Sequence, residues 1–276
     1  RITRPEQIIS SLPQAIEMML DPADCGPACI SLSQDVQGEL FDYPEEFFKE
    51  RVHHIRRAKP DDFQIKKAAE IIKKSKMPLI ISGGGVFYSD ATSELSNFAI
   101  KHNIPVSQTV MGYSTMKKDH SHFLGVIGGL GGKAANNMAK KTDLAIAIGT
   151  KLGDFTTGSW ANFENSSFKL ISINTCRYDA TKHLAQAVIG DAKVSLKELS
   201  MALGDWTADK NWNDKGRIEL KNWNEYVDKE SGPTNKKLPS YAHAVGAIYR
   251  NSEPSDIAVT AAGGLVGEVI QVWRPK

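Results

Sequence analysis

The sequence predicts an α/β fold built on a doubly wound parallel sheet, and three observations predict it. Short runs of continuous apolar character at 78–82, 144–149 and 169–174 lack the alternation of a half-exposed strand, so both of their faces are covered. Amphipathic helical patterns separate these runs, and strands alternating with helices give parallel pairing through crossovers. The first run also ends in Gly83-Gly84-Gly85, where parallel sheets turn into their helices and place their ligands.

The elements follow in order. Residues 5–20 read as a helix, with Ile8, Leu12, Ala15, Ile16 and Met19 on one face and Pro13 as a kink or as the start of a second helix. Gly26-Pro27 punctuates the chain, and 28–33 reads as a short strand. The end of a first domain over 1–40 and a charged linker over 41–60 complete this part. A central α/β domain spans 61–205. Its first helix carries Ile65, Ala68, Ala69 and Ile72 on one face, with acids leading and Lys73, Lys74 and Lys76 trailing, an order that suits the helix dipole. Strand 78–82 follows, then a helix marked by Leu95, Phe98, Ala99 and His102, then strand 104–109. Beyond a long glycine-rich loop come helix 133–141, strands 144–149 and 169–174, a fifth strand at 187–190 and a closing helix at 194–203. A connecting helix and polar linker occupy 206–239. The start of another domain fills 240–276, with helix 241–250, strand 257–262 and a helix opening after Gly263-Gly264.

Composition narrows the class of function. Of 276 residues, 41% are hydrophobic and 24% charged, the profile of a globular chain. The 34 Lys and Arg against 32 Asp and Glu leave a net charge of +2, with no basic footprint for nucleic acid. No run of about 18 apolar residues offers a membrane span. The odd set Cys25, Cys29 and Cys176 favours reduced thiols and a cytoplasmic setting. The sequence opens on Arg1 and its last helix and strand have no sheet partners of their own, so an internal piece of a longer chain is expected.

Several motifs admit two readings. Gly83-Gly84-Gly85 is either a close approach for phosphate or a tight strand-to-helix turn. The run GVIGGLGG at 125–132 places Gly129, Gly131 and Ala134 in the G-x-G-x-x-A spacing of a dinucleotide seat, but its preceding residues make a poor strand. The loop TKLGDFTTGSW at 150–160 either lines a pocket or forms a solvated loop with a helix cap. Cys25 and Cys29 lack partners for a zinc site. His53-His54 and the pair His120 and His122 read as surface side chains, and no Gly-x-Ser-x-Gly elbow is present. Ala261-Ala262-Gly263-Gly264-Leu265 is either a phosphate seat at a helix N-terminus or an ordinary strand-to-helix turn.

Longer runs carry a resemblance. RITRPEQI and GPACISLSQDVQG resemble the end of the pyrimidine-binding domain of thiamine-diphosphate enzymes of the acetohydroxyacid synthase type. PLIISGGGV, DLAIAIGTKLGDFTTGSW and ISINTCRYDATKH resemble their central domain, and AVTAAGGLVGEVIQVWR the opening of their diphosphate-binding domain. Within that family, the 149–160, 174–183 and 261–274 runs most resemble the ring-opening hydrolases of myo-inositol catabolism. The resemblance implies thiamine diphosphate and Mg2+ as cofactors and a cyclic dione as substrate, its C–C bond cleaved with the cofactor as electron sink. It implies a homodimer or homotetramer, while the charge balance and the lack of an apolar span lead to the expectation of no nucleic-acid and no membrane partner. It assigns Ala262, Gly263, Gly264 and Leu265 to the start of the diphosphate site. The family's activating glutamate is expected before Arg1 and its Gly-Asp-Gly magnesium motif after Lys276, so no catalytic residue and no metal ligand is assigned here. Val266 stands where the family pattern has Pro. Acetolactate synthases and 2-oxoacid decarboxylases are the alternative within the family, and a free-standing NAD or FAD module is the alternative outside it.

Overall fold

The computed structural model describes residues 1–274. The chain divides into two compact units, Arg1–Ala58 and a second that starts at Lys59.

In the first unit a short 3-10 turn, Pro5–Gln7, runs into α1 (Ile8–Leu20). Gln7 Oε1 accepts from Thr3 N at 2.8 Å and Arg4 N at 3.3 Å, which fixes the entry. α1 continues through Pro13 as one helix. Residues 28–33 are not a strand. They contribute one isolated parallel bridge, Ile2 to Leu32, because no second strand lies alongside to extend the ladder. α2 (Gln34–Gln37) and a 3-10 turn at Glu45–Phe48 complete this unit, where Phe41, Tyr43, Phe47 and Phe48 pack ring against ring.

The second unit contains α3 (Asp62–Lys74), β1 (Pro78–Ser82), α4 (Gly84–Tyr88), α5 (Thr92–His102), β2 (Val106–Gln108), β3 (Phe123–Val126) and α6 (Lys133–Lys141). β4 (Leu144–Ile148), α7 (Asp154–Thr157), β5 (Lys169–Asn174), α8 (Arg177–Thr181), β6 (Gln186–Ile189) and α9 (Ala192–Leu203) follow. α10 (Lys210–Glu230), α11 (Tyr241–Arg250) and α12 (Gly264–Val272) end it. Among the described residues the strands form one six-stranded sheet in the order β3-β2-β1-β4-β5-β6, and every pairing is parallel.

Alternation along each strand divides the core. Ile80, Ile146, Ile148 and Ile171 face α3, α5 and α9, packing with Ile65, Ile72, Phe98 and Leu199. Leu79, Ile81, Ala145 and Ala147 share the other cluster with Met138 of α6 and Trp212 of α10. Trp212 Nε1 donates to the Pro78 carbonyl at 2.8 Å, tying α10 to the start of β1. Aspartates open the helices: Asp61 accepts from Phe63 N at 2.8 Å, and Asp191 from Lys193 N at 2.9 Å and Val194 N at 3.2 Å.

Two further expectations need correction. β3 lies within the long stretch between 109 and 133 that the sequence read as a glycine-rich loop. It is an edge strand, paired only to β2 through an irregular register, with Gly125 at φ +93°. Residues 257–262 are not a strand. Their alternating side chains find no neighbouring strand, and Ile257 and Val259 stand almost fully exposed.

Candidate functional site

The strand order reverses between β1 and β4, the place where a doubly wound sheet opens toward ligands. Here glycine brings the two strand-end loops into backbone contact. A Cβ on Gly83 would lie 2.3 Å from the Gly149 carbonyl oxygen, and one on Gly85 2.6 Å from Gly149 Cα. Gly83 N donates to Ile148 O at 2.8 Å and Gly85 N to Gly149 O at 3.0 Å. Of the two readings, the tight turn is the one the structure supports, since these amides serve the neighbouring loop.

The 125–132 loop does follow a strand and open α6, yet its amides are occupied. Gly128 N donates to Asn136 Oδ1 at 2.9 Å, and Asn136 Nδ2 returns a bond to Gly128 O at 3.0 Å. Gly129 N donates to Phe155 O at 2.7 Å, Gly131 N to Gly128 O at 2.9 Å and Gly132 N to Val126 O at 2.8 Å. A dinucleotide phosphate needs such groups bare. Gly132 is overlaid by a side chain, and a Cβ there would sit 2.5 Å from Trp223 Nε1.

The 150–160 loop is folded around α7. Ser159 and Trp160 have positive φ, and the Trp160 ring lies 4.5 Å from that of His183 and 5.6 Å from that of Phe163. Cys25 and Cys29 are exposed and unbonded, and no cluster of metal-ligating side chains occurs among the described residues. No helix there is long and apolar enough to cross a membrane.

His122 is not a surface side chain, and His120 is half-buried. His122 is 7% exposed; its Nε2 lies 3.0 Å from Asn103 Oδ1 and its Nδ1 2.9 Å from Ser121 Oγ. Asn103 Oδ1 only accepts, so Nε2 carries a proton. Burial, with His120 and Arg217 adding repulsion, pushes its pKa down to about 4. His120 bonds Ser96 Oγ at 3.0 Å.

Ala262, Gly263, Gly264 and Leu265 are brought together at the N-terminus of α12 and are all exposed. Gly263 adopts φ +136° and ψ −166°, a region that essentially only glycine enters, and nothing lies within 4 Å of where its Cβ would be. No side chain caps α12, so the amides of its first turn, which includes Val266, have no side-chain acceptor. The residues present fit a diphosphate: close backbone approach, free N–H groups and the positive end of a helix dipole.

Residues far from this turn in sequence hold the helix that carries it. Trp223 Nε1 donates to Gln271 Oε1 at 2.9 Å, and Gln271 Nε2 donates to Leu130 O at 2.7 Å. The Trp273 carbonyl accepts from Tyr113 Oη at 2.9 Å and from Lys118 Nζ at 2.7 Å. Burial, with Arg274 adding repulsion, pushes Lys118 down to about 7, and burial beside Tyr249 pushes Tyr113 up to about 12. Of these four side chains only Trp223 stood out in the sequence, as one of the aromatic residues of the connecting helix, and its bond to Gln271 did not.

The parallel sheet and its helices belong to a recognisable class. Residues 65–199 match the family described as thiamine pyrophosphate enzyme, central domain, and this segment is such a domain. Relatives extend the similarity over almost the whole chain. The 3D-(3,5/4)-trihydroxycyclohexane-1,2-dione hydrolase of Clostridium perfringens is 37% identical over 297 residues, covering 99% of this chain and 46% of the relative. The protein of that name from Bacillus subtilis is 38% identical over 302 residues, covering 99% of this chain and 47% of the relative. That from Clostridium tetani is 36% identical over 300 residues, covering 100% and 47%. The chain therefore spans about half the length of the curated relatives it matches.

Proposed function

We propose that this chain serves a thiamine-diphosphate-dependent hydrolase that opens the ring of 3D-(3,5/4)-trihydroxycyclohexane-1,2-dione to a 5-deoxy-glucuronate in inositol catabolism. The single observation behind this reading is the 36–38% identity to the hydrolases over essentially all of the chain. The open glycine turn at Ala262–Leu265 supports the cofactor assignment, since its backbone suits a diphosphate. When bound, thiamine diphosphate supplies an electron sink for C–C bond cleavage. This chain's contribution is to seat the diphosphate by backbone amides at 262–265 and to hold α12 against the 125–132 loop. Mg2+ accompanies the diphosphate in this reading, with its protein ligands outside the residues assigned here. A cytoplasmic homodimer or homotetramer completes the proposal, supported by the exposed Phe87, Tyr88, Met111, Phe155 and Tyr178 on the short helices and turns that follow the strand ends.

The test pairs binding with turnover. Calorimetry of the protein with thiamine diphosphate and Mg2+ reads the cofactor assignment, and a flat trace overturns it. The holoenzyme is then assayed with the cyclic dione and with pyruvate. Consumption of the dione with ring opening is expected; turnover of pyruvate alone would assign a synthase or decarboxylase instead.

A further inference from the structure

The glycine run at 125–132 has a role other than the dinucleotide seat its spacing suggests. The carbonyl of Leu130 receives the Gln271 amide at 2.7 Å, and the Gln271 oxygen receives Trp223 Nε1 at 2.9 Å. One side chain of α12 thus joins the glycine loop to α10. The fit is close: a Cβ on Gly132 would fall 2.5 Å from Trp223 Nε1 and 3.0 Å from Gln271 Oε1. The Leu130 side chain also reaches within 3.6 Å of where a Cβ of Gly267 would be, so the loop follows α12 for more than a turn. The carbonyl of Trp273, just past the helix, is held by Tyr113 and Lys118.

These anchors lie at one end of a short, stiff helix and the open turn at the other. Gln271 stands seven positions after Gly264, about 10 Å along the axis and close to two full turns, so both lie on nearly the same face. The turn itself is lightly held: residues 257–265 are exposed, Gly263 has nothing near its Cβ position, and the Tyr241 ring lies 3.7 Å from where a Cβ of Gly264 would be. Its placement is therefore set through the helix.

We propose that Gln271 is a positioning residue for the 262–265 turn, with the 125–132 glycine loop and Trp223 as its socket. Its meaning for catalysis rests on the diphosphate reading of that turn. The position of α12 does not, which allows the two to fail separately.

The experiment compares wild type with Gln271→Ala and Gln271→Glu. The first removes both bonds; the second keeps the side-chain length and the acceptor for Trp223 but turns the donor to Leu130 into a repulsive carboxylate. Hydrogen exchange of the 268–272 amides is expected to quicken by about tenfold in both, the scale of one or two lost hydrogen bonds, with the amides of α6 and β4 unmoved. Calorimetry with thiamine diphosphate and Mg2+ is expected to show a Kd raised about tenfold in both variants, at a Tm within a few degrees of wild type. Unchanged exchange at 268–272 overturns the positioning role whatever the cofactor does. Quickened exchange with an unchanged Kd overturns its relevance to the cofactor. Wild type that binds no thiamine diphosphate overturns the diphosphate reading, and exchange alone then decides the socket.

Discussion

Lys118 delivers its ammonium to the main-chain carbonyl of Trp273 at 2.7 Å, far from it in sequence. The Tyr113 ring lies 4.9 Å from the same nitrogen. A desolvated cation satisfied by a neutral oxygen and a ring is held less firmly in its charged state than in water, and burial accordingly pushes its pKa down to about 7.

The first prediction follows from that shift. A folded-state pKa below the unfolded value near 10.5 means that the unfolded chain binds more protons between about pH 7 and pH 10.5. The contribution of Lys118 to stability therefore rises with pH across that window and is at its least below pH 7. Lys118→Met removes the titration. Its Tm relative to wild type should be highest near pH 6.5 and decline toward pH 9; a constant difference would contradict a buried, titrating Lys118.

His122 sets a second pH dependence, on the acid side. Its pKa falls from the usual 6.5 to about 4, so the unfolded chain again binds the extra proton, now between those two values. Stability from this group is intact above pH 6.5 and lost as pH falls toward 4. Urea titrations at steps from pH 7 to pH 4 should show a declining midpoint, and His122→Asn should flatten that decline.

Gly132 tests the socket sterically. Gly132→Ala drives a methyl against Trp223 Nε1 at 2.5 Å and should destabilise by about 1–3 kcal/mol, as overpacking does. Gly153 is the comparison, because it has negative φ and nothing within 4 Å of its Cβ position. Gly153→Ala should change stability by under about 1 kcal/mol in the same denaturant titration.

Gly263 separates strain from crowding. Space around it is open, so Gly263→Ala meets no clash, but its φ of +136° is unfavourable for any residue with a Cβ. The turn should relax to another conformation with little change in Tm, while thiamine diphosphate binding weakens about tenfold, an effect of about 1.4 kcal/mol. Calorimetry alongside thermal unfolding measures both.

How far the sequence speaks depends on what kind of contact makes each feature. β1, β4 and β5 are covered on both faces, so their apolar runs are continuous and their bounds are readable. β3 pairs on one side only and carries Gly125 at positive φ, which makes its sequence look like loop. Residues 257–262 show the reverse: a β-type pattern is present, and without a neighbouring strand no ladder forms. His122 sits among Asp119, His120 and Ser121, polar neighbours that give no hint of its burial. The Ala262–Leu265 turn is legible because a glycine pair and a helix start are local signals. Its support is not, because the Gln271–Leu130 and Lys118–Trp273 bonds join segments more than a hundred positions apart.

The sheet order also bears on how the chain reaches this structure. β1 pairs with β4, Pro78 against Leu144, while β2 and β3 emerge between them on the other side. During synthesis the three strands β3-β2-β1 therefore exist first as a half-sheet whose waiting edge is Pro78–Ser82, the earliest strand made and apolar except for Ser82. That edge waits for α6 and β4 before it is covered, and non-local parallel pairing of this kind forms slowly. The same central pairing that places two glycine turns in contact in the finished molecule is thus the step at which a nascent chain is most open to sticking to its neighbours.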